Sequence, residues 1–154
     1  MLPTLARADD TAELLERLRR VRPDSPRRWG RMNAHQMLCH CADAMRAMTG
    51  EILVSHDSPW FNRTFLKWAA LWVPLPWKDG LRTRPELDQL GEAHTRPGDF
   101  EADRQEVERQ IEIFIAAVKR GGLKPHPVFG PLTTAAWLRW GHLHVDHHLR
   151  QFGI

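Results

Sequence analysis

The chain has 154 residues, of which 42% are apolar and 27% charged, with 22 basic against 19 acidic side chains and 2 cysteines. A chain of this length buries roughly 68–70% of its unfolded surface, so neither a disulfide framework nor a structural-zinc scaffold is needed to hold a core. The apolar content excludes a disordered chain, no apolar run reaches the ~20 residues that cross a bilayer, and Met1 to Ala8 lack an apolar leader stretch, so one cytoplasmic domain over residues 1–154 is expected.

Four helical segments carry start signals, and nothing between them alternates at period two, which predicts an all-α fold. The first, about residues 10 to 21, opens on Asp10 with Glu13 three positions on, the pattern of a capping box. Its apolar stripe is Leu14, Leu15, Leu18 and Val21. The second opens on Asn33 with Gln36 at the matching position and runs to about Thr49, where Gly50 offers a stop; Met37, Cys41, Ala44, Met45 and Met48 share one face. Residues 51 to 98 form a long connection interrupted by five prolines. Within it, Trp60, Phe61, Phe65, Trp68 and Trp72 fall together on a predicted helix from about 60 to 73. The polar side of that helix holds only Asn62, Arg63, Thr64 and Lys67, too thin a cationic face for a membrane-surface helix, so a lid on the bundle or a subunit contact is expected. The third long helix runs from Asp99 to Arg120 on the stripe Phe100, Val107, Ile111, Phe114 and Val118, and after a proline-rich loop Thr133 caps a last helix reaching about Phe152. Four amphipathic helices must cover one another's stripes, which points to a four-helix bundle with a long crossover connection.

Two clusters invite a functional reading and yield a plainer one. Residues 17 to 31 hold seven arginines against the single acid Asp24, which suggests a phosphate-binding patch. With a leucine stripe behind them, these arginines are expected to cover a solvated face instead, and nucleic acid is not the expected partner. Cys39 and Cys41 flank His40, but positions i and i+2 of a helix point about 160° apart, so the two thiols cannot share an ion or form a disulfide there; reduced, buried thiols are expected.

The histidines carry the chemistry. His35, His56, His94 and His126 fall at helix starts or in loops. In the last helix His144 and His148 stand four apart and therefore stack on one face, where they can chelate one ion. His147 projects about 100° from His148 and His142 about 160° from His144, so a third ligand must come from elsewhere. His40 is the best candidate, beside Met37 and Ala44 on the shoulder of the second helix's buried stripe. Three neutral imidazoles leave coordination positions open, as catalytic sites do. The alternative is that His144 and His148 are half-buried, hydrogen-bonded residues and that Asp146 and Arg150 are an exposed i, i+4 pair. Val145 follows the first histidine where a metalloprotease has its glutamate, so that motif is absent.

The stretch His144-Val-Asp-His147-His148-Leu-Arg-Gln151, with an inward histidine near the middle of the second helix, resembles the DinB-like (YfiT-like) superfamily. Trp29-Gly30, Met37-Leu38-Cys39-His40, His126-Pro127-Val128-Phe129-Gly130 and the ending through Phe152 resemble one bacterial branch of it, of unknown function. The resemblance implies a four-helix bundle with a crossover and a divalent metal, typically zinc or nickel, held by three histidines that map onto His40, His144 and His148. Characterised members of that superfamily are metal-dependent enzymes that transfer a low-molecular-weight thiol, and others are regarded as hydrolases. The expected function is therefore a metal-dependent thiol S-transferase or hydrolase acting on a small electrophile. Asp146 or His147 would orient a ligand or move a proton, and Gln151, one turn beyond His148, would touch the bound ligand or be a surface amide. The competing expectation is a non-catalytic homodimeric binding module with vestigial histidines.

Overall fold

Residues 1–55, 59–81, 83–91 and 93–154 are described by the structure, a computed structural model; His56 lies outside them. Five α-helices are present, α1 (Ala8–Arg19), α2 (Ala34–Thr49), α3 (Phe65–Trp72), α4 (Phe100–Arg120) and α5 (Thr134–Gln151), with short 3-10 turns at Trp60–Arg63 and Pro85–Leu87 and no strand among the described residues. The fold is all-helical, and none of its helices is long and apolar enough to cross a membrane.

Start and stop chemistry fixes α2 to the residue. The Asn33 side chain accepts from the Gln36 N–H, the Gln36 side chain accepts from the Asn33 N–H, and Gly50 ends the helix in the left-handed conformation. Thr133 caps α5 through its side-chain oxygen as expected, and Asp99, at the expected start of α4, caps that helix in the same way. The expected cap of α1 is not formed: that helix starts two residues earlier, after Arg7, and has no side-chain cap. Asp10 instead accepts from the Thr4 N–H at 2.8 Å and pairs with Arg7 at 2.6 Å, tying the N-terminal segment to the first turn.

Helices α2 and α5 form the centre, each buried on nearly every face, while α1 and α4 bury one stripe each. α2 packs along α4, and α5 contacts α1, α2, α3 and α4. The rings of Trp137 and Trp140 on α5 lie 6.2 and 5.8 Å from that of Phe114, which is fully buried. Burial of a side chain of this size contributes roughly 1.5–3 kcal/mol. Gly141 permits this approach, since a Cβ there would lie 2.6 Å from the Phe114 ring and 2.8 Å from Leu5. Arg139, almost wholly buried, donates to the carbonyls of Leu71 and Pro3 and so anchors the end of α3 and the N-terminal segment to α5.

The aromatic segment departs from expectation. A single helix over 60–73 is broken at Thr64 (φ −119°, ψ −98°) into a 3-10 turn and the short α3. The turn closes on itself through Asn62 N–H to Pro59 O and Thr64 Oγ1 to Phe61 O, local bonds that compete with α-helical continuation. Leu71 is its one fully buried residue, whereas Trp60, Phe61, Phe65 and Trp68 are at least half exposed. Its large rings therefore face outward, not onto the bundle.

Candidate metal centre

The i, i+4 spacing on α5 sets His144 and His148 on one face, with ring centroids 4.8 Å apart. The packing of α2 across α5 delivers His40, whose ring lies 4.6 Å from His148 and 5.3 Å from His144. One nitrogen from each lies within 4.8 Å of the others, a group able to hold a metal ion. His147 and His142 do not join them, as their angular positions on the helix require.

Hydrogen bonding fixes two tautomers. The Leu87 carbonyl, which can only accept, lies 2.9 Å from His40 Nδ1; that nitrogen therefore carries the hydrogen, and Nε2 keeps its lone pair. His148 is fixed by a relay. The Trp29 carbonyl takes a hydrogen bond from Gln151 Nε2 at 2.9 Å, which turns Gln151 Oε1 toward His148 Nδ1 at 3.0 Å and leaves the lone pair of His148 on Nε2. Gln151 is thus neither a surface amide nor a cavity-lining group but the support of His148, buried to 3% exposure. Gly30 makes room for it: at φ +78°, any Cβ would overlap the Gln151 amide.

His144 rests on Trp140, 5.1 Å away and near-parallel, and its Nε2 is buried without a hydrogen-bond partner among the described residues. An unpaired buried nitrogen costs roughly 1–3 kcal/mol, and coordination would satisfy it. Burial pushes His40 below its ordinary pKa, and pushes His144 and His148 well below theirs, with the neighbouring imidazoles adding to the effect. All three are neutral at neutral pH, the form a metal requires.

The triad opens onto a cavity of about 540 Å³. Leu66, Ala70 and Val73 of the α3 region, Trp77, and Val128 and Phe129 of the proline-rich loop supply apolar wall. Among the described residues no carboxylate lines it, whereas Lys78 and Arg84 do. His126 also lines it, stacked on Phe129 at 4.9 Å, its Nδ1 accepting the Val128 and Phe129 N–H groups. His126 lies in a loop as its position predicts, and the turn-forming run His126-Pro127-Val128-Phe129-Gly130, closed by a backbone bridge between its ends, folds it against the cavity. Asp146 does not orient a triad ligand. It is held by Arg17 at 2.7 Å and Arg150 at 3.0 Å, joining α5 to α1, so the i, i+4 pair is part of a partly buried interhelical network, not an exposed surface pair. His147 lies between Trp29 and Trp77, with ring centroids 5.8 and 6.0 Å away, and also lines the cavity.

A second group is announced by sequence spacing only in part. His35 and Cys39 stand four apart on α2, and with Asp103 of α4 they form another cluster able to hold a metal ion. Cys39 and Cys41 are both free and buried as expected; burial pushes Cys41 up and Cys39 up to about 12. The arginine-rich stretch serves structure in part: Arg17 pairs with Asp146 at 2.7 Å and Arg19 with Glu108 at 2.6 Å.

The model of a family described as "Protein of unknown function (DUF1569)" matches residues 5–153. No curated protein and no solved structure matches the chain.

Proposed function

The chain belongs to the DUF1569 family, whose description assigns no activity, and from the site we propose that it is a divalent-metal-dependent enzyme, a thiol S-transferase or hydrolase acting on a small electrophile. The four-helix bundle with residues 51–98 as crossover, and kinship with the DinB-like (YfiT-like) superfamily, belong to the same proposal. Packing of α2 with α4 and of α1 with α5 supports it. The observation that carries the function is the convergence of His40, His144 and His148, two of them locked with Nε2 unprotonated, on an apolar cavity.

His40, His144 and His148 would hold the ion, with zinc or nickel suited to an all-imidazole set. When bound, such an ion lowers the pKa of a thiol or water at its open position and so supplies a nucleophile at neutral pH. The chain's own residues do the rest. Leu87 O and Gln151 keep two imidazoles aimed and unprotonated toward the site, and Leu66, Val73 and Phe129 offer apolar wall to a small apolar electrophile. With three neutral imidazoles and no carboxylate among the described residues of the lining, the charge of a dication is left to an anionic partner such as the thiolate of a low-molecular-weight thiol.

Elemental analysis of tag-free protein, alongside conjugation of a low-molecular-weight thiol to an aryl halide followed by absorbance, tests the proposal. His144→Ala is expected to lose one equivalent of transition metal and the metal-dependent rate, and His147→Ala to keep the metal. Equal metal content in the two variants overturns the triad. The exposed rings at 60–68 favour a second reading, a homodimeric module whose aromatic segment is the interface; a metal-free parent that refuses zinc and nickel would favour it.

A further inference from the structure

The cluster on the opposite shoulder of α2 has the chemistry of a metal site of a different kind. Cys39 follows His35 by four residues, so both side chains leave the same face of α2, about 100–140° round the helix from His40. Asp103, in the first turn of α4, meets them. His35 Nε2 lies 2.7 Å from Asp103 Oδ2 and Cys39 Sγ 3.8 Å from the same oxygen, and the three donor atoms all lie within 4.8 Å of one another. The Gly98 N–H, 2.9 Å away, orients that oxygen, and the Phe100 ring meets the His35 ring edge-on at 5.2 Å. Three hydrogens converge on this carboxylate oxygen, one from the Gly98 backbone and two from side chains, on His35 nitrogen and Cys39 sulfur. A cation takes the place of the two side-chain hydrogens when the thiol proton leaves and the imidazole hydrogen sits on Nδ1.

We propose that His35, Cys39 and Asp103 form a second metal site, independent of the histidine triad, that takes zinc. A nitrogen, a thiolate and a carboxylate oxygen are the donors zinc accepts, at about 2.0–2.3 Å, in a four-coordinate arrangement with water as the fourth ligand. On binding, Cys39 releases its thiol proton to solvent, and His35 carries its single hydrogen on Nδ1 and presents the Nε2 lone pair. No electrons are exchanged.

Charge separates this site from the triad. Thiolate plus carboxylate cancel a dication, so the loaded site is neutral and can sit half-buried without uncompensated charge. Three neutral imidazoles leave the other site dipositive. His35 and Asp103 each keep 20% side-chain exposure, enough for an ion to enter and for both to adjust, while Cys39 is held by the packed helix. Because its ligands come from α2 and α4, the site ties together two long helices of the core.

Cobalt(II) titration reads the two sites separately, since only a thiolate ligand gives a sulfur-to-cobalt charge-transfer band in the near ultraviolet. With chelator-stripped, phosphine-reduced protein, the parent is expected to bind two equivalents of cobalt and to show the band. His144→Ala is expected to bind one equivalent and keep the band; Cys39→Ser and His35→Ala, at positions that leave the triad intact, are expected to lose the band and keep one equivalent. The partly exposed His35 variant provides the check if the buried cysteine variant proves unstable. Absence of the band in both parent and His144→Ala overturns the site, whatever becomes of the triad, and a band that survives both His35→Ala and Cys39→Ser assigns the sulfur elsewhere.

Discussion

Gln151 is the side chain on which the geometry of the triad depends. Its amide has one orientation because the Trp29 carbonyl can only accept, and that orientation dictates which nitrogen of His148 carries the hydrogen. Gln151→Leu is expected to lower zinc affinity at the triad roughly 10–100-fold, the usual cost of losing such a support, with far-ultraviolet circular dichroism unchanged. Gln151→Glu retains an acceptor for Nδ1–H and is expected to recover part of the loss. Gly30→Ala should reproduce the defect from outside the site, because its Cβ displaces the same amide. Competition against a chromophoric chelator measures all three, and parent-like affinity in Gln151→Leu would reduce the relay to a chain-end tether. The pair His144 and His148 was legible from spacing, since a helix converts i, i+4 into one face. Gln151 was legible only as a neighbour of that face: its partner Trp29 is more than a hundred positions away, and no local pattern announces it.

At the level of elements, α2 and α4 are joined by a partly buried ionic network centred on Arg46. Its guanidinium bonds Asp43 at 3.0 Å and pairs with Glu106, and Asp43, fully buried, also accepts from the Thr95 N–H at 2.9 Å. Removing one partner of such a pair leaves buried charge uncompensated, at a typical cost of 3–5 kcal/mol. Arg46→Met is expected to destabilise by about 3 kcal/mol and to lower the melting temperature by roughly 6–12 °C in a thermal scan. The network also responds to acid. The Arg109 hydrogen bond, with Gln110 and Arg46 adding to it, holds Glu106 at about 2. Since this lies below the ordinary carboxylate value near 4.3, the contribution is complete above that value and is lost as pH falls through it toward 2. After solvent screening it amounts to roughly 1 kcal/mol, and Glu106→Gln should remove that part of the acid slope in denaturant titrations. Helix ends were legible wherever a cap is a contact between near neighbours, as at Asn33 with Gln36. They were not legible at α1, where Asp10 bonds backward to Thr4 and the cap that spacing suggests is never made.

For the whole molecule, the outward-facing rings of the aromatic segment bear on assembly. Trp60 is 76% and Trp68 56% exposed, an area of apolar surface of the kind that contacts between subunits cover. Under the dimer reading, the Trp60→Ser, Trp68→Ser double variant is expected to weaken self-association at least ~10-fold by sedimentation velocity, as interface tryptophans do. Monomer stability should move by no more than about 0.5 kcal/mol per site, since neither ring is in the core. A parent that sediments as a monomer at every concentration would sink that reading.

The sequence by itself determined the all-helical class, the bounds of α2, α4 and α5, and the pairing of His144 with His148. All of these follow from interactions within a few residues: caps, stripes at period 3.6, and the stacking of side chains one turn apart. Tertiary structure decided what had to be brought together from a distance. It set His40 against the α5 pair, put Leu87 O and Gln151 behind two of the three imidazoles, and closed the cavity with His126 and the inner side of α3. It also brought Asp103 to His35 and Cys39, 64 residues from the cysteine, where the i, i+4 spacing of the first two was visible and its third partner was not. The reason is that spacing along one helix fixes direction, whereas convergence between helices depends on how their stripes pack, which Gly141 and the rings around it settle by shape.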